Sequence, residues 1–347
     1  MARTFVAIGL TLLTVSTRAQ TVVYVDDSAT GADDGTTWAD AYSDLQDAVS
    51  GAMPGTEVRV AQGTYTPDGG TGNREATFQL ISGVAVYGGY AGLGDPNAAD
   101  RNFELYETIL SGDLNKEDGS GFANNGENSY HVVTGSGTDA SAVIDGFMIT
   151  AGHADGPSPH DNGGGIYNSG GSPTVRNCYF IGNSASYGGA MHNSGGAATL
   201  IDCYLVGNAA SNFGGAIDNF SSMPTFVNCV FVGNWAGGEG GAIHSDLSVV
   251  TVTNCTIGNN IAENRGGGVF NYVGVSLILT NSILWSNSDA AGEGLSAQLF
   301  NNPSNTVVVN HSCIQGWTGE FGGTGNIGAD PFFTRAPDPG ADGIWNR

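Results

Sequence analysis

One motif is written five times between residues 163 and 289, and nothing else in the 347-residue chain restricts its fold as strongly. Gly163–Asn183 reads GGGIYNSGGSPTVRNCYFIGN and Gly188–Asn208 reads GGAMHNSGGAATLIDCYLVGN. Gly214–Asn234 (GGAIDNFSSMPTFVNCVFVGN), Gly240–Asn259 (GGAIHSDLSVVTVTNCTIGN) and Gly266–Asn287 (GGGVFNYVGVSLILTNSILWSN) follow. The pair Asn177-Cys178 returns as Asp202-Cys203, Asn228-Cys229, Asn254-Cys255 and Asn281-Ser282, at spacings of 25, 26, 26 and 27 residues. A fixed period of this length marks stacked units, none of which can bury a core alone.

The local pattern sets the kind of unit. Each copy holds short runs of β-branched, aromatic and leucine residues broken by Gly, Asn and Ser, with no helical stretch of ten residues. Cys178 and Phe180 share parity and face one way, whereas Tyr179 faces the other. Val175 joins the same side only if the chain bends at Asn177, a residue type that tolerates the left-handed conformation. The Gly-Gly pair supplies a second bend, and Asn183 with its equivalents a third. Three bends and three strands per copy predict one turn of a parallel β-helix, about 26 residues long, with turns roughly 4.8 Å apart. Stacking then places Ile166, Met191, Ile217, Ile243 and Val269 in one inward column. Phe180, Leu205, Phe231, Ile257 and Leu284 form another. Asn177, Asp202, Asn228, Asn254 and Asn281 form a ladder of side chains able to bond from turn to turn.

GGAI at Gly214–Ile217 and Gly240–Ile243, with FIGN at Phe180–Asn183 and FVGN at Phe231–Asn234, resembles the repeats of polymorphic outer-membrane proteins. The resemblance implies a pectin-lyase-like, right-handed β-helix displayed at a bacterial surface, often adhesive. The start of the coil is similar to that fold as well. Leu45-Gln46 and Ala48 lie in a stretch where Trp38, Tyr42, Leu45, Val49 and Met53 recur at helical spacing, followed by Pro54-Gly55, a strand from Glu57 and Gly63-Thr64-Tyr65. In that fold such a helix plugs the open end. The expected architecture is therefore an all-β, single-stranded, right-handed parallel β-helix over 57–333, preceded over 20–56 by a strand, a loop and a capping helix at 38–53.

Met1–Ala19 reads as a signal peptide: Arg3, an apolar run Phe5–Val15, and small residues at Thr17 and Ala19. The run is too short to span a bilayer, which takes roughly 20 residues. Export is expected, to the cell surface or beyond it, with no integral membrane segment left after cleavage. Residues 334–347 read as an irregular tail that is either truncated or covered by another element. Irregular turns occupy 76–162, with a small insertion at Gly70–Ala76 and a long acidic one at Asp113–Asn128.

The formal charge is −23, and Lys116 is the sole lysine. Nucleic acid and anionic membranes, whose binding depends on Lys and Arg, are excluded as partners; a polysaccharide or a surface protein remains. Of five cysteines, Cys178, Cys203, Cys229 and Cys255 share one column, and Cys313 lies beyond it. Neighbours one turn apart exceed the roughly 3.8 Å between Cβ atoms that a disulfide prefers, so buried free thiols are expected. Zinc is disfavoured because no CxxC spacing occurs.

Candidate chemistry falls on the column Tyr167, His192, Asp218, His244 and Phe270, beside the Ile/Met column and facing away from the core. Asp246 shares parity with His244, which would put its carboxylate roughly 8 Å from that of Asp218, a spacing compatible with inverting glycosidases. The plainer reading is a solvated strand face. A polyuronate lyase would need a basic proton acceptor, and Arg176 and Arg265 fall at bends away from this column. In the acidic insertion, Asp113, Asn115, Glu117 and Asp118 offer oxygen ligands. Asp118 stands where an EF-hand needs glycine and Asn124 where it needs glutamate, so a looser surface calcium site is expected there rather than an EF-hand, with no cofactor required. The favoured function is a non-catalytic exported repeat protein presenting a face to glycans or proteins. A carbohydrate-active enzyme, a hydrolase or lyase using His192, Asp218, His244 and Asp246, is the alternative.

Overall fold

The computed structural model describes residues 20–333, so the expected signal peptide and the tail at 334–347 lie outside the described residues. Three parallel sheets run along most of the coil. A ten-stranded sheet extends from Thr21–Val25 to Thr306–Asn310, and a nine-stranded sheet from Gly63–Tyr65 to Cys313–Ile314. An eight-stranded sheet extends from Phe78–Gln79 to Leu299–Asn301. The architecture is a right-handed parallel β-helix, as the period required.

Register follows the copies. Ile166 pairs with Met191, Met191 with Ile217, Ile217 with Ile243, and Ile243 with Val269. This column and the Phe180–Leu284 column are fully buried. Asn177, Asp202, Asn228, Asn254 and Asn281 all turn with φ between 49° and 56°, the left-handed bend that the parity argument demanded. Val22–Val25 belongs to the coil itself, because Thr21–Val25 pairs in parallel with Thr56–Val60.

Three expectations change. A fourth, five-stranded sheet exists, running from His153–Ala154 through Ser184–Tyr187, Ala209–Phe213 and Trp235–Ala236 to Ile261–Ala262. The repeated turns therefore carry four short strands rather than three. Second, the asparagine ladder at the Asn177 bend is largely exposed. The buried ladder is Asn183, Asn208, Asn234, Asn260 and Asn287, each fully enclosed. Asn234 Nδ2 donates to Asn260 Oδ1 at 2.8 Å and to the Leu205 carbonyl at 2.9 Å, and its Oδ1 accepts from Asn208 Nδ2 at 3.0 Å. The fourth copy thus closes on Asn260, one residue beyond Asn259. Third, the helix spans Leu45–Gly51 only. Asp44 accepts from the Gln46 amide at its start, and Leu45, Ala48 and Val49 enter the core. Trp38 and Tyr42 stay outside it. Trp38 packs against Tyr24 and Tyr90, and Thr37 Oγ1 accepts from the Asp40 amide in a turn of its own.

All five cysteines are free and buried. Each aligned thiol donates to the carbonyl two residues before it, as Cys203 Sγ does to Ile201 at 3.3 Å. Ser282 takes the same place in the fifth copy and donates to Thr280 at 2.9 Å. No helix among the described residues is long and apolar enough to cross a membrane.

Candidate functional site

The column of candidate residues is buried rather than solvated. His192, Asp218 and His244 are each at most 9% exposed. Turn stacking sets them side by side: His192 pairs with Asp218, and Asp218 with His244. Asp218 bridges both imidazoles. His192 Nδ1 donates to Oδ2 at 2.8 Å and His244 Nδ1 donates to Oδ1 at 2.6 Å. Burial alone would raise the Asp218 carboxyl, but the two imidazole hydrogen bonds outweigh it and hold the group down to about 2. Asp218 is therefore a carboxylate at neutral pH. Neither Nε2 atom takes a protein partner among the described residues.

The bridge sits in a longer stack of rings. Tyr130, His160, His131, Tyr167 and His192 follow one another on one side, with centroids 4.9 to 6.1 Å apart. On the other side His244 stacks on Phe270 at 5.5 Å and Phe270 on Phe300 at 4.9 Å. Within the stack, His160 Nδ1 lies 3.4 Å from His131 Nε2.

The fourth sheet explains the burial. Its strands Ser184–Tyr187 and Ala209–Phe213 end immediately before a Gly-Gly hinge, and the strands that carry His192 and Asp218, Met191–Ser194 and Ile217–Phe220, begin just after it. The hinge folds the two into a concave corner. Gly214 has φ +66°, and a Cβ there would lie 2.3 Å from the Ile217 carbonyl oxygen, so the corner requires glycine. Phe213 turns back over the column and stacks on His244 at 4.8 Å. Tyr187 packs against Phe213. The result is a pocket of about 520 Å³ that His192, Asp218 and His244 line, with Phe220, Phe270 and Tyr272 among its walls.

Asp246 and Glu239 also line this pocket. One carboxylate oxygen of Asp246 is buried and has no hydrogen-bond partner. Sequence reasoning did find His192, Asp218, His244 and Asp246, but it missed the wall. A signal for it was present: the residue before each Gly-Gly pair forms its own column, Asn162, Tyr187, Phe213, Glu239 and Arg265. Three of these five are large or aromatic enough to overhang the next strand.

The expected calcium residues are only partly gathered. Asp113 and Asp118 come together with Glu127, which the sequence reading did not include, their carboxylate oxygens lying within 4.8 Å of one another. Burial first, with neighbouring carboxylates behind it, raises both Asp118 and Glu127 above the ordinary range. Glu117 stands outside the group, its amide instead donating to Asp113 at 3.1 Å, and Asn115 is exposed. Among the described residues no other group of three His, Cys, Asp or Glu side chains converges in this way, the pocket included.

The Chlamydia polymorphic membrane protein repeat matches residues 228–246, which run from the Asn228 bend through the Gly240-Gly241 hinge to Asp246. No curated protein matches. Among solved structures, the pectate lyase Pel9A is similar with a TM-score of 0.51 at 15% identity, over 88% of this chain and 72% of that one. The pectin methylesterase of Aspergillus niger is similar with a TM-score of 0.43 at 14% identity, over 93% of each chain. At 15% identity the likeness to the pectate lyase is one of fold.

Proposed function

We propose that this chain is an exported, surface-presented β-helix protein that binds a saccharide in the pocket over the His192–Asp218–His244 bridge, without reacting with it. The observation that carries the reading is the lining of the pocket. Rings of Phe213, Phe220, Phe270 and Tyr272 surround a few hydrogen-bonding groups, the composition that favours a sugar's apolar face and its hydroxyls together. The polymorphic membrane protein repeat supports a surface location.

One observation favours a hydrolase or lyase instead. Asp218 orients two imidazoles and leaves both Nε2 atoms open, as a general base requires. A two-carboxylate hydrolysis, however, needs one protonated carboxyl, and Asp218 held at about 2 does not supply it near neutral pH. The test is a panel of oligosaccharides scored by calorimetry for binding and by chromatography for products, with Tyr272→Ala and Phe220→Ala beside wild type. Binding without product, weakened at least fivefold by either substitution, is expected. Product formation lost in His244→Ala would replace this reading with the enzymatic one.

No cofactor enters the reading. Calcium is proposed as an addition at Asp113, Asp118 and Glu127, where three carboxylates match its preference for hard oxygen ligands. Calorimetric titration with calcium, abolished in Asp118→Asn, is the check.

A further inference from the structure

The charged groups of this pocket that lack a partner of opposite charge are carboxylates. His192 Nδ1 and His244 Nδ1 each bond Asp218, and neither Nε2 takes a protein partner among the described residues. Asp246 adds a buried carboxylate oxygen without a partner, and Glu239 adds a second carboxylate. Among the described residues, neither Asp246 nor Glu239 is paired with an Arg, Lys or His side chain. A buried acceptor left unmatched is costly, and a ligand rich in donors removes that cost. The surrounding rings add the negative faces that attract a cation.

We infer that the pocket selects an amine-bearing saccharide: a protonated amino group on the sugar sits against Asp246 and Glu239 while the ring packs on the aromatic wall. This rests on the saccharide reading above and narrows it. An N-acetylated unit replaces the ammonium by a neutral amide and loses the charge. A uronate brings a carboxylate toward two others in a chain already at −23.

The test measures affinity for four probes of equal length: a glucosamine oligomer, its N-acetylated form, a neutral glucan oligomer and a galacturonate oligomer. A lysine-containing tetrapeptide is the fifth. The glucosamine oligomer should bind at least tenfold more tightly than the other saccharides. Asp246→Asn and Glu239→Gln should each reduce that preference severalfold, read as the ratio of glucosamine to glucan affinity within the same variant. Both variants are checked for a wild-type melting temperature, so that loss of fold is distinguished from loss of charge. Equal affinity for the amine and N-acetyl forms overturns the inference and leaves the saccharide reading standing. Binding of the peptide with no saccharide bound overturns both.

Discussion

Asp218 and His244 stand 26 residues apart in sequence and one turn apart in the coil, joined by a 2.6 Å hydrogen bond from imidazole to carboxylate. The repeat period creates this contact, because the same strand position on adjacent turns is always a neighbour. His192 makes the matching bond from the turn before. One carboxylate thus ties three successive turns together at a place where the rest of the column is aromatic.

Removing that carboxylate should be costly. Asp218→Ala leaves two buried imidazole N–H groups without their acceptor, and each buried donor left unmatched typically costs about 1–3 kcal/mol. Urea denaturation of the variant should show a loss of this size with an unchanged m-value. A loss under about 1 kcal/mol would mean that the bridge contributes little.

A second imidazole makes stability depend on pH. Burial lowers His131 from its usual 6.5 to about 4, and the Gly163 carbonyl bonded to its Nδ1 offsets only part of that. The folded protein therefore binds fewer protons here than the unfolded chain between these two values. Stability from this site is fully present above about pH 6.5 and is lost progressively down to about pH 4. The full effect is on the order of 3 kcal/mol. Melting curves from pH 7 to 4 should fall more steeply for wild type than for His131→Phe, which keeps a ring in the stack and has no proton to gain.

The aligned cysteines should behave as core residues. Burial drives the Cys178 thiol up to about 12, and Cys229 and Cys255 are also raised, each by its hydrogen-bonded neighbour in the column as well as by burial. Native protein should resist iodoacetamide at the aligned positions, and protein denatured without reductant should take up five labels per chain by mass spectrometry. Recovery of a single label would reveal two disulfides and contradict the column.

The two asparagine ladders should separate cleanly by mutation. Asn234→Ala removes a side chain that donates to Leu205 and Asn260 and accepts from Asn208, leaving several buried groups unmatched. Its cost should reach roughly 3 kcal/mol or more. Asn228→Gly keeps the left-handed bend and removes only exposed contacts, so its cost should stay within about 0.5 kcal/mol. Comparable costs for the two would mean that burial does not distinguish the ladders.

The coil was legible because its signals repeat. Ile166 and its equivalents, Phe180 and its equivalents, and the Asn177 bend each recur at one offset, and parity allows only one inward face. The fourth sheet was not, since its strands are short and centred on alanines such as Ala185, Ala210 and Ala236, which carry little strand preference. The entry helix was overextended because Trp38 and Tyr42 fit its spacing. Local turn bonds from Thr37 and Asp40, together with ring packing on Tyr24, prevailed over that periodicity. At the site, the chemical residues were visible as a column, whereas their burial depended on a wall contributed from across the hinge.

That hinge separates what must stay constant from what is free to differ. The glycines fix the corner, while the residue just ahead of them lies outside the core and, at Asn162, Tyr187, Phe213 and Glu239, lines the pocket. Asn162, Tyr187, Phe213, Glu239 and Arg265 already differ at this one place, and the strands after each hinge still pair in register. Ligand preference can therefore be rewritten one rung at a time. Inserting a further copy of about 26 residues would lengthen the pocket by one step of roughly 4.8 Å. Copy number in such a chain acts as a ruler for the ligand, and the pre-hinge residue on each rung as its markings.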